Sequence, residues 1–142
     1  MTDYEKIRLY RNAFNTYPTE NGILTTEIRE GYAKACLTVE PRHLNAIRSV
    51  HGGLIFTLAD TVAGSAASSR GSMMTTMDCT MHYLRAAIDV KYLYGTATEI
   101  KHGKTASLYQ VEITDEKGTL IARGEFTYFD LKRELIPEGW TP

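Results

Sequence analysis

Cysteine is nearly absent. The two present, Cys36 and Cys79, have no CxxC spacing and lie within runs of strand-forming residues, so the sequence predicts buried thiols and argues against a disulfide framework, a metal-thiolate site or a thiol nucleophile. No apolar run approaches the roughly 20 residues needed to cross a bilayer. The opening MTDYEKIRLYRNAF also lacks the short apolar block of a secretory leader. The expectation is a soluble, cytoplasmic protein with no membrane partner. Neither sign of charge dominates: 16 Lys and Arg against 17 Asp and Glu leave a net charge of −1, which gives nucleic acid no basic field to bind. The histidines His43, His51, His82 and His102 fall in separate segments at no metal-binding spacing, so no metal is expected. A phosphate-binding GxxxxGK[ST] loop and a Rossmann glycine pattern are both missing, so no nucleotide cofactor is expected. No GxSxG elbow frames Ser65, Ser68 or Ser69, which are assigned to packing.

What is present suffices for one core: 43% of residues are hydrophobic, consistent with a single domain spanning 1–142. Thr2 and Glu5 have capping-box spacing, and Tyr4, Ile7, Tyr10 and Phe14 predict a short amphipathic opening helix that Pro18 and Asn21-Gly22 end. Strand-forming residues at 23–29 and 32–39 flank a two-residue turn, Glu30-Gly31. The segment HGGLIFTLADTVAGSAASSRG, from His51, is apolar around nearly its whole helical circumference, the pattern of a buried helix. Strands are then predicted near 76–83, 92–101, 105–114 and 119–129, with hairpin turns at 101–104 and 115–118. The segment ending in Trp140 has no periodicity. One buried helix and five or six mainly antiparallel strands make an α+β domain in which a curved sheet wraps a helix.

Asp60 is the one charge between His51 and Arg70 in this core-like helix. A buried carboxylate is costly unless hydrogen-bonded, so it is either satisfied by donors or kept for chemistry. At the other end, His51-Gly52-Gly53 would leave backbone N–H groups free at the positive end of the helix dipole. Such a terminus can hold a thioester carbonyl and the oxyanion formed from it; it can equally be a sharp turn with His51 as a structural cap. His51 and Asp60 are nine residues apart, about 13.5 Å along an ideal helix and roughly 180° around it. If both act on one substrate, a two-fold axis must bring Asp60 of one chain to the helix start of another.

Asn45, then His51-Gly52-Gly53, Leu58-Ala59-Asp60 and a small-residue stretch to Arg70-Gly71 form a pattern that resembles the PaaI-type branch of the hotdog-fold thioesterases. That branch includes mammalian thioesterase superfamily member 2, and the likeness covers nearly the whole chain. The resemblance implies hydrolysis of an aryl- or fatty-acyl-CoA to free acid and coenzyme A, a homodimer as the unit that completes the active site, and a homotetramer built as a dimer of dimers. It implies catalytic roles for Asp60 as general base or nucleophile, Gly52 N–H as the group polarising the carbonyl, Asn45 and Thr76 in orienting water, and His51 as a turn residue bordering the thioester. By the same resemblance the substrate's coenzyme A runs past Gly53, Tyr83, Leu84 and Arg85, with its phosphates near Lys101, Gly103 and Lys104. A glycine between two lysines is also, on its own chemistry, a compact anion-binding turn. No cofactor is implied, because coenzyme A is part of the substrate.

Two other readings stay open: a hotdog-fold hydratase or dehydratase, and a non-catalytic acyl-CoA-binding domain. The acyl group is not legible, and Tyr32, Phe56, Met73, Met74 and Tyr83 are candidates for its pocket or for the core.

Overall fold

A computed structural model describes residues 2–142. Helices α1 (Tyr4–Phe14) and α2 (Thr16–Glu20) precede the hairpin β1 (Ile23–Arg29) and β2 (Tyr32–Thr38). A loop with one 3-10 turn, Pro41–His43, leads to the central helix α3 (Gly52–Ala67). After a second 3-10 turn, Ser68–Arg70, come β3 (Ser72–Tyr83), β4 (Tyr92–His102), β5 (Ala106–Asp115) and β6 (Leu120–Glu134). The six strands form one antiparallel sheet in the order β1-β2-β4-β5-β6-β3. All six pack against α3, which is the expected hotdog arrangement of a sheet wrapped round a helix.

Side-chain size explains the close approach of helix and sheet. Ala33, Ala35 and Ala97 on the sheet and Ala59, Ala63 and Ala66 on α3 are fully or almost fully buried, so backbones come near, while Leu58, Val62, Tyr109, Phe126 and Ile113 fill the remaining volume. Each large buried side chain contributes about 1.5–3 kcal/mol, and truncating Leu58 to Ala would cost about 2–5 kcal/mol.

The two sheet edges differ. On β1 the strand is interrupted by a bulge between Thr25 and Glu27, and Asn12 of α1 pairs with Thr25 like an added strand residue, its amide donating to Thr25 O at 2.8 Å and accepting from Thr25 N at 2.9 Å. A helix thus covers that edge. Among the described residues the β3 edge has no such cover, and its residues from Thr75 to Asp78 are exposed, Met77 by 57%.

Several expectations need correction. Helix α1 is capped by Asp3, whose carboxylate accepts from Lys6 N at 3.0 Å, not by Thr2. Glu5 is drawn away to Arg8. Pro18 does not end a helix but sits in the first turn of α2, where its missing N–H has no intrahelical partner to lose. β3 begins at Ser72 and β6 runs on to Glu134, because the two pair along their full length. Cys36 and Cys79 are free and half-buried rather than buried, with burial pushing both thiols above their ordinary range. The C-terminal segment, which has no periodicity, packs on α1: Trp140 lies edge-on against Tyr10 at 5.1 Å and Phe14 at 6.1 Å.

Candidate active site

The helix start is built by His51. Its ring is the N-cap, Nδ1 accepting from Gly53 N at 2.9 Å, while its carbonyl accepts from Leu54 N and Ile55 N. One donor of the terminus is thereby removed from any ligand, and Gly52 N–H is left with no protein acceptor among the described residues. With Nδ1 accepting, the His51 ring proton lies on Nε2.

Beside this free N–H lies a cleft of ≈ 340 Å³ lined by Asn45, Gly52, Tyr83, Leu84 and Arg85, among others. Tyr83 bridges strand and helix, its hydroxyl donating to Gly52 O at 2.9 Å. Asn45 is committed to its own loop: its side-chain oxygen accepts from Ile47 N and Ser49 N, each at 3.1 Å, and its amide donates to Ser49 Oγ at 2.9 Å. That leaves one amide hydrogen for a ligand.

Asp60 opens on a different cleft of ≈ 300 Å³, lined by residues that include Arg11, Tyr17, Thr57, Thr61, Gly64, Met74, Thr76 and Tyr128. It is half-buried, and its Oδ1 accepts from Thr76 Oγ1 at 2.6 Å and from Tyr128 OH at 2.6 Å. Thr76 is therefore on the carboxylate itself, a more direct contact than orienting a water. Tyr128 OH also lies 2.6 Å from the backbone oxygen of Asp60. Arg11 of α1 reaches the same region, donating to Ser65 Oγ at 3.0 Å, Ser68 Oγ at 3.2 Å and Thr61 O at 3.4 Å. Burial pulls its guanidinium down from the usual range, against the raising influence of Tyr128 and Asp60.

Sequence reasoning missed Tyr128 and Arg11. A tyrosine in an alternating strand carries no special mark. Arg11 did leave a signal: Tyr4, Ile7, Arg11 and Phe14 lie on one helical stripe, and Ile7 is the buried residue of α1. An arginine four residues on shares its face. The serines assigned to packing also hold hydrogen bonds, Ser65 and Ser68 with Arg11, and Ser69 Oγ accepting from Gly31 N.

The basic hairpin lies elsewhere. Along β6, Ala122 stands opposite Tyr83 and Tyr128 stands opposite Ser107, the partner of His102. Those six residues separate the two ends by about 20 Å. Lys101, Gly103 and Lys104 thus sit at the far end of the sheet from Tyr83, Leu84 and Arg85 within one chain. Glycine is required at 103 because a Cβ there would come 2.3 Å from Ala106 O. Gly53 faces the side of α3 turned toward Tyr17 and His43. No cluster of metal-binding side chains occurs among the described residues.

The model of the thioesterase superfamily matches residues 48–122, which hold both the helix start and Asp60. The acyl-coenzyme A thioesterase PaaI of Escherichia coli K12 is 34% identical over 101 residues, covering 71% of this chain and 72% of that protein. A solved structure of E. coli PaaI, a protein from the phenylacetic acid degradation operon, superposes with a TM-score of 0.81 at 28% identity, over 89% of this chain and 96% of that one. A hypothetical thioesterase from Streptococcus pneumoniae, solved with coenzyme A, is similar with a TM-score of 0.73 at 26% identity, over 79% of this chain and 88% of its own. With the motif, the six-stranded sheet round one helix and these likenesses in agreement, the chain belongs to the thioesterase superfamily and is a thioester hydrolase of the hotdog fold.

Proposed function

We propose that the protein hydrolyses an aryl- or fatty-acyl-CoA to the free acid and coenzyme A, at a site shared by two copies of the chain. The observation that carries this reading is the separation of the only unsatisfied N–H described at the start of α3, that of Gly52, from Asp60 eight residues on. That is about 12 Å along the helix, too far for both to meet one acyl carbon from the same chain. A two-fold partner brings Asp60 of one copy to Gly52 of the other. The uncovered β3 edge supports this, since its free backbone groups offer a second β3 a ladder to join.

In this mechanism Gly52 N–H, in its cleft with Tyr83 and Arg85, receives the thioester oxygen. Asp60 takes a proton from water as the water oxygen attacks the acyl carbon, and the carbonyl electron pair moves onto the oxygen held by Gly52. When the carbonyl reforms, the C–S bond breaks and the thiolate leaves with the proton from Asp60. As nucleophile, Asp60 would instead form an acyl anhydride that water then opens. Coenzyme A enters as part of the substrate, so the reaction needs no cofactor. Its pantetheine arm follows Tyr83, Leu84 and Arg85, and its phosphates meet the Lys101 to Lys104 hairpin of another copy. The stacked Tyr92 and Tyr94 on the outer sheet face, 6.3 Å apart and 40% exposed, are a surface on which two dimers would join into a tetramer.

The test is thiol release from a panel of aryl- and straight-chain acyl-CoA thioesters, with Asp60→Asn alongside. Release that vanishes in the variant, with the oligomer intact, is the expected result. Near-normal release by Asp60→Asn would refute the role of that carboxylate.

A further inference from the structure

We infer that Tyr128 is a positioning residue of the reaction: its hydroxyl, with that of Thr76, saturates Oδ1 of Asp60, so that Oδ2 is the oxygen left to meet water or the acyl carbon. This rests on the reading of Asp60 as base or nucleophile. A carboxylate oxygen has two lone-pair directions, and both on Oδ1 are taken, by Thr76 Oγ1 and Tyr128 OH at 2.6 Å each. Oδ2 has no protein donor among the described residues, and it is not among the buried side-chain atoms left unpartnered there, so it faces the cleft. The two oxygens of one carboxylate are thereby made unequal.

Tyr128 is the stronger constraint of the two donors. It is only 3% exposed, and its single hydroxyl proton is shared between Asp60 Oδ1 and the Asp60 backbone oxygen, each at 2.6 Å, so one group anchors main chain and carboxylate. Arg11 lies beside the phenol, its own hydrogen bonds going to Ser65, Ser68 and Thr61. At Gly64 a Cβ would stand 3.0 Å from Arg11 Nη2 and 3.2 Å from Tyr128 OH, so guanidinium and phenol share the space over one glycine. The charged or titratable groups around Asp60 are Arg11 from α1, Tyr17 from α2, which lines the same cleft, Tyr128 from β6 and Cys79 from β3. Burial, with the negative charge of Asp60, holds the Tyr128 phenol well above its ordinary range, so it remains a donor at every pH at which the enzyme would work.

A hydrogen bond donated to a carboxylate favours its charged form, which gives a readout that mere packing would not move. In Tyr128→Phe, kcat should fall about 10- to 100-fold with KM within about twofold, and the acid limb of the kcat–pH profile should move up by about one unit. Thr76→Val should move the limb in the same direction. Site-specific 3-fluorotyrosine at 128, a stronger donor of nearly the same size, should move it down, and this variant decides the matter if Tyr128→Phe does not fold. A limb unchanged in 3-fluorotyrosine, or a Tyr128→Phe enzyme with wild-type kcat and limb, overturns the inference while Asp60→Asn is inactive. Failure of the parent reading looks different: Asp60→Asn itself retains thiol release, and the role of Tyr128 falls with it.

Discussion

Thr76 and Tyr128 stand opposite each other across the β3–β6 ladder, and both hydroxyls reach the same oxygen of Asp60 at 2.6 Å. The strand register therefore sets the carboxylate on the helix. A bulge follows at once, between Thr76 and Asp78, and it lets β3 bend without displacing Thr76 from that pairing. A slip of one residue would turn Thr76 to the other face and remove one of the two donors.

Gly52→Pro should abolish the oxyanion donor with little damage to the fold. Proline is favoured at the first position of a helix, and His51 has φ −57° and ψ 132°, the extended geometry a residue before proline prefers. A Cβ at 52 would only touch the Tyr83 ring at 3.5 Å. The expected outcome is a fall of about 10²–10³ in kcat with a melting temperature within a few degrees of the parent.

Mixing chains tests the shared site directly. Gly52→Pro and Asp60→Asn should each be nearly inactive alone, yet their co-expressed mixture should recover about a quarter of parental activity, because half the dimers are mixed and each then has one intact site of two. Zero recovery in verified heterodimers would mean that each chain supplies its own Gly52 and Asp60.

Much of this was legible in the sequence for a simple reason. The apolar circumference of α3 marks a buried helix, so Asp60 stood out within it, and the paired glycines marked a helix start with free donors. Thr76, which bonds Asp60, was among the expected site residues, but Tyr128 and Arg11 were not legible, because Tyr128 is 68 positions away from Asp60 and Arg11 is 50 positions from Thr61, to which it bonds. Their proximity comes from strand order, which a single sequence does not print. The same is true of the basic hairpin: its turn was readable, but its distance from Tyr83 depends on the register of β3, β6 and β5.

Gly64→Ala separates helix stability from activity. Alanine is favoured over glycine in a helix interior by about 1 kcal/mol, but here the methyl group presses on Arg11 Nη2 and Tyr128 OH at 3.0 and 3.2 Å. The melting temperature should change by no more than a few degrees, whereas kcat should drop about fivefold to tenfold as Tyr128 is pushed off Asp60. Steady-state kinetics beside a thermal melt reads both.

His43 should make stability sensitive to mild acid. The ring is 4% exposed, its Nδ1 accepts from Glu40 N at 3.0 Å and its Nε2 is buried without a hydrogen-bond partner. Burial, foremost, and the nearby Arg42 hold it below its ordinary value of 6.5, with Glu40 opposing. The unfolded chain then takes up the proton first, so the stabilisation is complete above pH 6.5 and is lost as pH falls through the folded value. Thermal melts from pH 7.5 to 5 should show a decline that His43→Asn, which keeps an acceptor for Glu40 N, largely removes.

The aromatic contact between Trp140 and α1 has a practical consequence. Trp140 is the sole tryptophan of the chain, and it rests on Tyr10, the immediate neighbour of Arg11. Indole emission therefore reports from a single address, the outer surface of the helix whose Arg11 bonds Ser65, Ser68 and Thr61 beside the Asp60 cleft. Loosening of α1 by a ligand, a neighbouring copy or a mutation would register as a change in that emission without any label being attached.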